Sequence, residues 1–122
     1  MTLRNESATD SMFEAALIAL DSPIMIHAQR EILFANAAAH RVLRAEGPLV
    51  GSDVTSLVHP DGLEAGHERR KLILESGQTL RDVPVKLCAL DGTTLYARCE
   101  AKRIEWGGNT AILIMATDIK SE

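Results

Sequence analysis

The apolar positions along this chain change period three times, and each change marks an element. Met12, Phe13, Ala16, Leu17 and Leu20 recur at helical spacing, and Thr9 or Asp10 offers a side-chain oxygen to cap the first turn. An amphipathic helix is predicted over 9–20, after a polar, frayed tail at 1–8. Asp21-Ser22-Pro23 stops it, because proline disfavours helical geometry at the residue before it.

"IMIHA" at 24–28 and "EILFA" at 31–35 are short β-rich runs separated only by Gln29-Arg30. Strands this close can pair only as an antiparallel hairpin. At Asn36 the period changes from 2 to 3.6: its side chain can take a free backbone N–H and start the helix "AAAHRVLRA", which Gly47-Pro48 closes. Gly51 and Asp53 lead into a short helical turn, "DVTSLV". "HPDG" then sets Pro60 and Asp61 at the start of a longer helix, "LEAGHERRKLILE", running to Ser76 with Gly77 as its stop.

The last third alternates. Val83, Val85, Leu87 and Ala89 share one face before the turn residues Asp91-Gly92. Leu95, Ala97, Cys99 and Ala101 then alternate with Tyr96, Arg98, Glu100 and Lys102. After Gly107-Gly108 comes "TAILIMATDI", apolar on both faces as a central or doubly covered strand should be. The order helix, β, β, short helices, longer helix, β, β, β predicts an α+β domain. Its five-stranded antiparallel sheet carries helices on one face and leaves a concavity beneath the helical crossing.

Composition narrows the function classes. A hydrophobic fraction of 46% and a charged fraction of 25% suit one globular domain of 122 residues. The net charge of -4 and the single short basic run Arg69-Arg70-Lys71 argue against nucleic-acid binding. No apolar run approaches the length of a membrane span, and "MTLRNESATD" lacks the features of a signal peptide. A cytoplasmic location without membrane contact is expected, with Cys88 and Cys99 as thiols. Catalysis is not expected, since no triad or paired-carboxylate pattern is present.

Taken together, "IMIHAQREILFANAAAHRVL", "GSDVTSLVHPDG", "LDGTTLYARCEAKRI" and "ATDIKSE" resemble a PAS domain, the sensor module of many signalling proteins. The resemblance runs from about Met12 to Ile119. It implies a PAS-like core over 24–119 within one domain over 9–120, with 121–122 beginning a connector to an effector outside this chain. That effector would be a histidine kinase, cyclase or transcription regulator. Thr117, Asp118 and Ile119 would form the signal exit, with Lys120 where the family commonly has threonine. The stripe Met12, Phe13, Ala16, Leu17 and Leu20 would cover the sheet or pair with a second copy, giving a homodimer.

The resemblance also frames the candidate ligand residues. In haem-binding oxygen sensors of the family a histidine on the long helix ligates iron, and His67 falls at about that position. Its run Glu68-Arg69-Arg70-Lys71 equally marks a solvated flank, and Val83 cannot hydrogen-bond a bound gas. No cofactor is therefore the primary expectation, with haem on His67 as the alternative. His67, Leu74, Val83, Val85, Leu95, Ala97, Cys99 and Ala101 form the set expected to line the concavity. Its small members Ala97, Cys99 and Ala101 either leave room for a small-molecule ligand or let helices pack closely. The segment "GSDVTSLV" has no cysteine, which excludes flavin photochemistry of the cysteine-adduct type. His59 is expected to cap its turn, and His27 and His40 to be packed or surface residues. Two functions remain: a sensory domain passing a ligand, redox or partner signal to an effector, or a ligand-free dimerisation module.

Overall fold

Three tight turns set the architecture. Gln29 and Arg30 take positive φ (49° and 74°), as do Gly107 and Gly108 (57° and 82°), and Gly92 sits at 89°. Such turns match the right-handed twist of the strands they join. The computed structural model describes residues 20–121. The expected tail at 1–8 and the stripe from Met12 to Leu17 lie outside the described residues.

Strands β1 (Ile24–Ala28), β2 (Glu31–Ala35), β3 (Leu80–Cys88), β4 (Thr94–Trp106) and β5 (Asn109–Ser121) form one antiparallel sheet in the order β2-β1-β5-β4-β3. Helices α1 (Ala37–Leu43) and α2 (Leu63–Ser76), with 3-10 turns at Val54–Leu57 and Pro60–Gly62, fill the connection from β2 to β3. The last strand thus lies at the centre of the sheet, which accounts for its apolar character on both faces.

The two faces hold separate clusters. Ile32, Leu43, Leu49, Val54, Leu57, Ala89 and Leu95 pack under the helical segment. Ile24, Ile26, Phe34 and Ala111 pack on the opposite face, where Phe34 meets Trp106 with ring centroids 5.6 Å apart. Ile32 and Phe34, two apart on one strand, would share a face under strict alternation. A bulge separates them: Ile26 pairs with Phe34 but His27 with Ile32, leaving Leu33 as the extra residue.

Asn36 does more than cap α1. Its Oδ1 accepts from Ala39 N and also from Ile24 N, both at 3.0 Å. Its Nδ2 donates to Ser22 O at 2.8 Å. One buried side chain therefore ties the start of β1 to the start of α1. The helix ends at Leu43, earlier than "AAAHRVLRA" implies. Arg44 turns left-handed (φ 58°), and the Leu43 carbonyl accepts from Leu90 N at 2.9 Å. Arg44 Nη1 reaches Asp91 at 2.9 Å and Thr93 at 2.6 Å, fixing α1 to the β3–β4 turn.

At its other end α2 stops at Gly77 (φ 72°). Arg103 lies over this glycine and donates from Nη1 to Leu74 O at 2.9 Å. No helix among the described residues is long and apolar enough to cross a membrane.

Candidate functional site

Alternation along four strands builds a floor from one side of the sheet. His27 pairs with Ile112, Met25 with Ile114, and Ala101 with Ile114. Cys99 pairs with Val83 across the β3–β4 ladder. These side chains face α2, and between them lies a cavity of about 100 Å³. Gly66, Arg69, Arg70 and Ile73 of α2 close it from above, and Val54 and Leu57 close one end.

Four residues of the expected set line this space: Val83, Val85, Cys99 and Ala101. Leu95 and Ala97 face the same way but are consumed in packing, Leu95 against the cluster of Ile32 and Leu43 and Ala97 against Ala116. His67 and Leu74 do not reach the cavity. Both are exposed on α2 and border a second, open groove with His27, Arg70 and Ile112.

The residues do not fit haem in this cavity. A volume of about 100 Å³ falls below the several hundred typical of ligand pockets, and the His67 ring lies outside it. Among the described residues no group of three or more His, Cys, Asp or Glu side chains could hold a metal ion.

The polar residues of the cavity wall are His27, Arg69 and Arg70, none of which the periodicity singled out. His27 is 2% exposed and its Nδ1 has no hydrogen-bond partner. Burial, with Arg70 adding repulsion, pulls its pKa from 6.5 down to about 4, so the ring is neutral at pH 7. Burial also holds Arg70 below its ordinary value. Gly66 lies beside Arg70 on α2, where a Cβ would stand at ordinary contact distance, 3.4 Å, from Nη1. The signal in the sequence was a histidine within an otherwise apolar strand, "IMIHA".

The remaining expected residues have structural partners. His59 Nδ1 accepts from Asp61 N at 3.1 Å and caps its turn. His40 Nδ1 lies 3.0 Å from the Asn36 carbonyl. Asp53 takes the Thr55 N–H and hydroxyl at 2.9 and 2.7 Å, which lowers its pKa, and it meets Arg30 at 3.3 Å. Cys99 is buried, and desolvation pushes its thiol up to about 11; Cys88 is half-buried.

At the far end of β5, Tyr96 pairs with Lys120 but Arg98 with Thr117. Ala97 therefore faces two residues, Asp118 and Ile119, and Asp118 takes φ 48°. The expected exit residues thus occupy a bulge in the strand, which continues to Ser121.

The family described as PAS fold matches residues 11–119. This chain belongs to the PAS family. No curated protein matches it. Among solved structures it is similar to the PAS domain of nitrogen regulation protein NR(II) from Vibrio parahaemolyticus, at 20% identity and TM-score 0.65, covering 89% of this chain and 96% of that one. It is also similar to a PAS domain from Colwellia psychrerythraea, at 14% identity and TM-score 0.73, covering 88% and 94%. The DhaR(N)–DhaL complex of E. coli matches at 20% identity and TM-score 0.67. That match covers 94% of this chain but only 37% of the other, so this PAS domain spans well under half of that relative.

Proposed function

We propose that this PAS domain is a cytoplasmic, non-catalytic sensor that passes a signal from its cavity through β5 to a C-terminal effector. The carrying observation is that one strand serves both places. Ile112 and Ile114 of β5 line the cavity, and Thr117, Asp118 and Ile119 of the same strand form the bulged exit. A change in cavity occupancy biases β5 between two arrangements and shifts the effector by its differential interaction with them. Similarity to PAS domains of a two-component sensor histidine kinase and of nitrogen regulation protein NR(II) supports a signalling output such as a histidine kinase. The Met12, Phe13, Ala16, Leu17 and Leu20 stripe supports a homodimer, and Leu20 is 48% exposed.

The test is a chimera in which this chain replaces the PAS domain of a sensor kinase, joined after Ser121. Ala101→Val fills part of the cavity. The proposal expects it to change autophosphorylation severalfold while the surface change Leu90→Ser does not. Equal rates for the wild type and Ala101→Val overturn it and favour the ligand-free dimerisation reading.

A further inference from the structure

The cavity joins an apolar body to a cationic rim with one unmet polar atom. Met25, Leu57, Ile73, Val83 and Ile114 supply the body. His27 and Arg70 border both the cavity and the open groove beside it, so they stand where the two adjoin. Arg69 lines the cavity as well.

The charges are left over. Of the acids near Arg70, Asp53 is engaged by Thr55 and Arg30. Arg70 is partly desolvated, a condition that disfavours an uncompensated cation. His27 Nδ1 is buried without a partner, and a buried polar nitrogen left unpaired costs about 1–3 kcal/mol. An anionic ligand group would relieve both, whereas the apolar body rejects a fully hydrated ion.

We infer that the cavity binds a short-chain carboxylate, its hydrocarbon tail against Ile73, Val83 and Ile114 and its carboxylate between Arg70 and His27. The size of the tail follows from the volume. An apolar cavity of about 150 Å³ admits benzene, so about 100 Å³ suits an acid of about three to five carbons. Guanidinium and carboxylate match in a planar, charge-assisted pair, and the His27 ring donates a hydrogen bond to the carboxylate when Nδ1 carries the proton, as the Nδ1–H tautomer or the cation. This inference rests on the sensory reading and names its ligand class.

Sodium butyrate is the probe, titrated calorimetrically into the full chain beside butyramide, a neutral analogue of similar size, and inorganic phosphate. The expected result is saturable butyrate binding at least about tenfold tighter than butyramide, as a charge-assisted pair implies, with phosphate not competing. Arg70→Gln should abolish the preference, and Ala101→Val should weaken both organic probes. Arg70 is half-buried at the cavity rim, so the melting temperature of its variant is checked in parallel; Arg70→Lys, which keeps the charge, should retain part of the preference. Equal affinity for butyrate and butyramide, competition by phosphate, a preference unchanged in a folded Arg70→Gln, or no saturable butyrate binding each overturns the inference. None of these outcomes touches the chimera result, so failure of the ligand class and failure of the sensory reading are distinguishable.

Discussion

Asn36 and His27 are both buried polar residues beside the same hairpin, and their opposite states give the residue-scale predictions. Asn36 has its polar atoms engaged. Asn36→Ala strands the Ile24 and Ala39 N–H groups together with the Ser22 carbonyl, so it should lower stability by about 3 kcal/mol in urea denaturation. Asn36→Asp keeps the acceptor and should lose less. His27 is neutral when folded, with its pKa drawn from 6.5 to about 4 by burial and then by Arg70. The unfolded chain therefore binds more protons between these values. Stability is intact above about pH 6.5 and falls as pH drops towards 4, by on the order of 3 kcal/mol at about 1.4 kcal/mol per pH unit. Arg30, Arg69, Arg70, Asp53, His67, Lys71 and Glu75 border this region. Comparing urea midpoints at about pH 7 and pH 4.5 isolates the histidine, because His27→Leu should lose distinctly less stability over that interval. The two thiols should also separate: Cys88 reacts first with a thiol reagent in the folded chain, and Cys99, desolvated with a pKa of about 11, reacts only on unfolding. The capping role of Asn36 was legible because it is local. Its bond to Ile24 was not, since that depends on where β1 begins in space.

Among the elements, turns and helix stops were readable from short-range chemistry. Gln29-Arg30, Asp91-Gly92, Gly107-Gly108 and Gly77 all fall where their residues imply. What alternation could not show was the Leu33 bulge, which sends Ile32 and Phe34 to opposite faces. Nor could it show the early end of α1, which is fixed by Arg44 reaching Asp91, 47 positions away. The α2 stop yields an element-scale prediction. A Cβ at Gly77 would meet Arg103 Nη2 at 2.7 Å, at a φ of 72° that favours glycine. Gly77→Ala should therefore destabilise by about 1–2 kcal/mol. Arg103→Ala should remove only the steric share of that penalty, measured as a double-mutant cycle.

At the scale of the whole molecule, the family and the sheet were legible because order and spacing of the pieces carry them. The site was legible only in part. Inward alternation reached Val83, Val85, Cys99 and Ala101, but whether an inward residue lines space or fills it depends on neighbours distant in sequence, as Leu95 and Ala97 show. The cationic rim was missed because Arg69 and Arg70 read as the wet side of a helix, while their positions above the sheet come from tertiary packing. The proposed sensory role requires the cavity and the exit to be coupled through β5. The measurement that tests it most directly is a comparison of backbone amide chemical shifts in the wild type and Ala101→Val. Coupling predicts shifts that follow β5 from Ile114 to Thr117, Asp118 and Ile119 while β2, at the sheet edge, stays unchanged. Shifts confined to the residues around position 101, with the exit unmoved, would contradict it.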